Sequence, residues 1–206
     1  MTVLDQSVPT GLGTMLVLPA DEVDTPALPT WVRGWVDHAG ATAELAPAGA
    51  HDVAIARAYR TRRGPVLLLR HDGGSPPRRI VAAVQEHDAD RPVVAAAASA
   101  AAACRARLRI VHAVPRSFGE RSIGLAEAVE RGRRLVTSVG TVEQPGVPVG
   151  RELVRAWPHE VLDETLDADL LVVGGPRPHG PDELGLTARA AVVHAPCSVL
   201  VVPRAC

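Results

Sequence analysis

"LLVVGGPRPHGPDELGLTARAAVVHAPCSVLVVP", Leu170 to Pro203, is the stretch whose reading decides the fold of this chain. An apolar run ends at two glycines and a Gly/Pro-rich loop follows. A helical pattern then runs from about Gly185 to Ala195, Pro196 stops it, and a second apolar run closes the unit. Unbroken apolar runs of this length read as strands buried on both faces, and two of them joined through a helix read as a parallel crossover.

The same alternation extends back to residue 79. "RIVAAV" (79–84) and "LRIVHAVP" (108–115) are buried-strand patterns, and the Ala-rich segment 89–107 between them is a helix small enough to pack closely on a sheet. Ser117 and Glu120 have capping-box spacing. Beyond them Leu125, Ala128, Val129, Gly132, Val136 and Val139 fall on one helical face. "GRELVRA" (150–156) is a third strand, and Pro158 suits the first turn of a helix ending near Leu166. Strand and helix repeated in this way predict an α/β fold: an open, Rossmann-like parallel sheet covered on both faces. In such sheets ligands sit beyond the carboxyl ends of the strands, which places Gln85, Pro115 and 174–180 on one rim.

Residues 14–70 read as a shorter α/β half. It contains strands at 14–20, 41–48 and 64–70, a helix bearing Trp31 and Trp35 at i, i+4, and a helix at 52–62. The expected organisation is a small first half over 1–70, a turn-rich linker over 71–78 and a complete domain over 79–206.

Composition narrows the function classes. All 22 cationic side chains are arginine and 23 acidic residues nearly cancel them, so there is no electrostatic footprint for nucleic acid or an anionic membrane. Cys104, Cys197 and Cys206 are odd in number and widely spaced, which suggests neither a disulfide framework nor a zinc site and fits a reducing cytoplasm. The N-terminal stretch has no export pattern, and the small-apolar run 92–104 is too short to span a bilayer.

"RIVAAV", "LRIVHAVP", "DADLLVVGG" and "HAPCSVLVVP" together resemble the universal stress protein family over about residues 79–203. The resemblance implies a parallel sheet of order 3-2-1-4-5 in the second half, and a tandem arrangement whose first half is truncated. Nucleotide-binding members hold ATP with an acidic residue after the first strand and a loop G-x2-G-x9-G-[S/T]. Glycines there let backbone N–H groups approach the phosphates at a helix N-terminus. Carried over residue by residue, the resemblance implies a nucleotide site of Gln85, Val114, Gly174, Gly175, Arg177, Gly180, Gly185 and Thr187.

Several of these positions depart from the family pattern. Gly174 and Gly185 match the outer glycines, but Arg177 stands at the middle offset and Gly180 fills it only with a gap. The loop is two positions short, Leu186 takes the hydroxyl position with Thr187 one residue late, and Gln85 replaces the acid. Pro176, Pro178 and Pro181 remove three N–H donors. Losing two charge-assisted hydrogen bonds weakens binding by about 10²–10⁴-fold.

The reading is therefore a non-catalytic stress-response or regulatory module with an eroded adenine-nucleotide site, no resident cofactor, and a homo-oligomer or protein partner. The alternative is a working ATP·magnesium binder with slow or no hydrolysis. A flavin or other adenine cofactor has no residue signature here. No nucleophile stands beside a base, and G-x-S-x-G, HExxH and Walker patterns are absent.

The remaining candidates have plainer roles. His51-Asp52, His71-Asp72 and His87-Asp88 are adjacent pairs whose members face apart and do not chelate. His194 suits the last turn of a helix and Cys197 a small core position. The look-alike strands 65–70 and 198–203 are each an apolar edge that needs a partner. They are expected to meet across a pseudo-twofold within the chain, with the Trp31/Trp35 face packed on the second half or on another copy of the chain.

Overall fold

The computed structural model describes residues 12–19, 27–46, 64–70, 74–115, 123–139, 145–157, 160–162, 166–176 and 184–205. The predicted helix 52–62, the capping pair Ser117 and Glu120, and the pairs His51-Asp52 and His71-Asp72 lie outside the described residues.

In chain order the strands are β1 (Thr14–Pro19), β2 (Thr42–Leu45), β3 (Val66–Leu69), β4 (Arg79–Ala83), β5 (Arg107–Ala113), β6 (Val149–Val154), β7 (Leu170–Gly174) and β8 (Ser198–Val202). The helices are α1 (Thr30–Ala39), α2 (Arg91–Cys104), α3 (Ile123–Ser138) and α4 (Leu186–His194), with a 3-10 turn at Glu160–Leu162. Over the span where a helix ending near Leu166 is predicted after Pro158, the described residues form this 3-10 turn, and Leu166 itself is not helical.

The eight strands form one sheet, ordered β2-β1-β3-β8-β7-β4-β5-β6. All neighbours pair in parallel except β3 and β8, which pair antiparallel with Leu67 opposite Leu200 and Leu68 opposite Val199. The two look-alike apolar edges therefore meet within the chain. Pairing removes the exposure that would make each of them an association hazard. The seam carries additional bonds: the Arg70 amide donates to Ser198 Oγ (3.1 Å), and Arg70 Nη2 donates to the Val192 carbonyl (2.5 Å).

Alternation along the strands sorts the core into two layers. Ile80, Ala82, Leu108, Ile110, Val172 and Leu200 face α1, α2 and α3, whereas Val81, Val111, Leu171, Val173, Val199 and Val201 face α4 and the 3-10 turn. Helix α2 is buried nearly all round, between the strands it covers and its neighbour α1. Its run of alanines keeps both contacts close. Trp31 and Trp35 stack at 6.4 Å between ring centroids, and Trp35 Nε1 donates to Ser99 Oγ of α2 at 3.1 Å. The tryptophan face is thus packed on the second half, and the indole N–H is satisfied there.

Candidate functional site

The carboxyl ends of β4 and β7 and the start of α4 converge on a cavity of about 100 Å³. Gln85, Gly174, Gly175, Gly185 and Thr187 line it, with an apolar wall that includes Val111, Val161 and Leu162. Five of the eight sequence-predicted site residues thus come together. Val114 instead lines a separate crevice on the other face of the sheet, as alternation with Val111 and Ala113 requires. Arg177 and Gly180 lie outside the described residues.

Two residues absent from the predicted site organise it. Asp90 precedes α2 and is wholly buried, and its Oδ2 accepts from the amides of Gln85 (2.5 Å) and Glu86 (2.8 Å). The carboxylate folds back on the loop after β4 and makes no side-chain cap to α2. Arg204, just beyond β8, supplies the countercharge: Nε lies 2.7 Å from Asp90 Oδ1 and Nη2 donates to Asp90 Oδ2 at 3.2 Å. Only the Nη2 contact is a hydrogen bond; Nε and Oδ1 meet as an ion pair without hydrogen-bond geometry, so the buried carboxylate is offset by the Arg204 charge and by the bonds to Oδ2.

The pair extends into the cavity. Arg204 Nη2 also donates to Gln85 Oε1 (3.3 Å), and Gln85 Nε2 donates to Thr187 Oγ1 (2.9 Å). Both ends of the Gln85 amide are therefore engaged by the protein itself. Gly174 is needed for this closure, since an added Cβ would collide with Arg204 Nε and lie 3.0 Å from Asp90 Oδ1. The backbone reinforces the crossing: Arg204 N donates to Pro176 O (3.4 Å) and Ala205 N to Ala89 O (3.1 Å). Residues 203–205 thus form a strap across the rim.

Sequence reasoning missed both residues for identifiable reasons. Asp90 stands where helix-capping residues stand, directly before Arg91-Pro92, and reads as a cap. Arg204 follows the last strand and has no motif of its own. The one available signal is a lone cation one residue after Pro203, at the same rim as the glycines.

The other reactive side chains have structural surroundings. Burial pushes the Cys197 thiol up to about 11, and the nearby Arg70 charge only partly offsets it; burial alone raises Cys104 to about 11. Neither thiol is a ready nucleophile. His87 and Asp88, expected to face apart, instead meet each other, with His87 Nδ1 2.7 Å from Asp88 Oδ1 at an exposed site in the loop after β4. His194 ends α4, where a cation favours the helix dipole. Among the described residues no group of three His, Cys, Asp or Glu side chains could hold a metal, and no helix is long and apolar enough to cross a membrane.

The chain is similar in fold to several solved structures. A functionally unknown protein from Pseudomonas aeruginosa PAO1 has 15% identity and a TM-score of 0.54, covering 95% of this chain and 94% of that one. Its likeness in fold takes in the first three strands as well as the last five. UspA, a universal stress protein from Lactobacillus plantarum, has 22% identity and a TM-score of 0.47, covering 61% of this chain and 97% of its own. A universal stress protein solved in complex with cAMP has 20% identity and a TM-score of 0.46, covering 62% and 98%. No curated protein matches the chain. The model of the universal stress protein family matches residues 76–203, more than half of the sequence, and the chain belongs to that family.

Proposed function

We propose that this chain is a non-catalytic regulatory module of the stress response whose adenine-nucleotide site is closed by its own side chains. The observation that carries this reading is the chain of contacts Asp90, Arg204, Gln85, Thr187. It engages Gln85, at the position after β4 that the family pattern reserves for nucleotide, and the hydroxyl of Thr187, one residue beyond the position the pattern reserves near the α4 N-terminus. The cavity of about 100 Å³ is also small, since ligand pockets usually enclose roughly 300–1,000 Å³. With no nucleotide chemistry to perform, the module would act through a protein partner or a second copy of itself.

A second reading has one observation in its favour: Gly174, Gly175, Gly185 and Thr187 do line a single cavity. In that reading the strap releases Gln85 and Thr187 when ATP and magnesium bind, and hydrolysis is slow or absent. Acid extraction of freshly purified protein, followed by ion-exchange separation of released nucleotides, discriminates the two. The closed-site reading expects nucleotide far below one equivalent per chain. Near-stoichiometric ATP or another adenine nucleotide would overturn it.

A further inference from the structure

The roomier crevice on the carboxyl rim lies on the opposite face of the sheet from the cavity beside α4. It encloses about 570 Å³, within the range of small-molecule sites, between the ends of β4 and β5 and helix α3. Val114, Ala128 and Leu135 give it an apolar lining. Gly132 sets the depth of α3 here: a Cβ would lie 2.6 Å from Leu153 Cδ1, 2.9 Å from His112 Cδ2 and 3.1 Å from Val114 Cγ2. A larger residue would have to displace the side chains of Leu153 and His112 that the glycine lets approach.

The polar lining is cationic. Arg131 and Arg134 are one turn apart on α3, both line the crevice, and neither has an ion-pair partner among the described residues. His112 Nδ1 lies 2.8 Å from the Val84 carbonyl, which can only accept, so Nδ1 carries the proton and Nε2 remains an acceptor in the neutral ring. Glu86 contributes one carboxylate at the rim. Two guanidiniums against one carboxylate favour a singly charged anion over a polyphosphate, and the apolar lining calls for a flat hydrophobic body.

We propose that this crevice is a binding site for a small organic monoanion, an aromatic or aliphatic body bearing one carboxylate or sulfonate-like group. Arg131 and Arg134 would pair with the anionic group, His112 Nε2 would accept a hydrogen bond, and the body would lie on Val114 and Leu135. The crevice adjoins the cavity beside α4 through Gln85 and Ala113, which line both, but Arg131, Arg134 and His112 line only the crevice, so variants there are read separately from the closed nucleotide site.

The test uses the full chain and the probe 8-anilinonaphthalene-1-sulfonate, followed by fluorescence with stoichiometry from calorimetry. One saturable site per chain is expected. The double variant Arg131→Gln/Arg134→Gln should weaken binding by roughly tenfold or more. Arg133→Gln, an exposed arginine on the same helix that does not line the crevice, should leave it unchanged. Ala128→Trp should fill the crevice and abolish binding; if that variant fails to fold, the arginine comparison decides alone. Multisite or undetectable binding to the wild type would overturn the proposal. So would equal loss in Arg133→Gln and the double variant, or equal affinity for the uncharged analogue N-phenyl-1-naphthylamine.

Discussion

Leu67 and Leu200 stand opposite each other across the antiparallel junction of β3 and β8, both fully buried. This one pairing joins a three-stranded parallel set to a five-stranded one, and the two core layers run through it. Unfolding should therefore be a single transition. With Trp157→Phe, the remaining tryptophans, Trp31 and Trp35, report on α1 and its packing against α2. Their fluorescence and the far-ultraviolet circular dichroism should give coincident denaturant midpoints. An earlier, separate tryptophan transition would mean that the seam does not couple the halves. Leu67→Ala should cost about 2–5 kcal/mol and lower both signals together.

Arg204 is the sole charge partner of buried Asp90 among the described residues. Removing it leaves a carboxylate with no countercharge in a wholly buried position, at a cost of about 3–5 kcal/mol. The expected result is a large drop in denaturant midpoint for Arg204→Ala, partly restored by adding Asp90→Asn. A midpoint within about 0.5 kcal/mol of wild type, the range of ordinary surface changes, would show that the strap is not held by this pair.

Asp169 links the starts of β4 and β7. Partial burial alone would raise its carboxyl. Hydrogen bonds from the Arg79 side chain and the Arg78 and Arg79 amides, with the Arg79 charge, outweigh this and hold it below the ordinary range. A lowered folded-state pKa means that the stabilisation is complete above the unfolded value of about 3.9 and is lost as pH falls through the folded value. Asp169→Asn should therefore be less stable than wild type at neutral pH, and the gap should close as the medium is acidified below about pH 4. A gap that stays constant with pH in urea titrations would contradict the assignment.

The strands from Arg79 onward were legible because a doubly covered parallel strand has an unbroken apolar signature, which β4, β7 and β8 carry, while β5 keeps an apolar centre between arginines and a histidine. The meeting of β3 and β8 was legible from two apolar edges that both needed partners. β6 was harder: it is a half-exposed outer strand, and its apolar content sits at its ends. The candidate site was half legible. Glycines and a hydroxyl announce themselves by spacing, whereas Asp90 looks like a helix cap and Arg204 lies after the last strand. Their partnership exists only because the sheet brings the ends of β4, β7 and β8 to one rim.

The thiols give an independent check on core packing. Burial raises Cys104 and Cys197 to about 11, so at pH 8 both are almost wholly protonated in the native state. Ellman's reagent should label Cys197 only as fast as the chain opens, with the rate rising steeply in urea. Rapid labelling of Cys197 in native protein would contradict its place beneath α4.

Calorimetric titration with ATP and magnesium tests the central claim, that Asp90, Arg204, Gln85 and Thr187 close the nucleotide site, most directly. The wild type should show no binding, or a dissociation constant weaker than about 100 μM, as expected when a micromolar site loses around 3 kcal/mol. Gln85→Asp with Leu186→Ser should tighten binding only in part, because the loop remains short and rich in proline. A low-micromolar dissociation constant for the wild type would contradict the account.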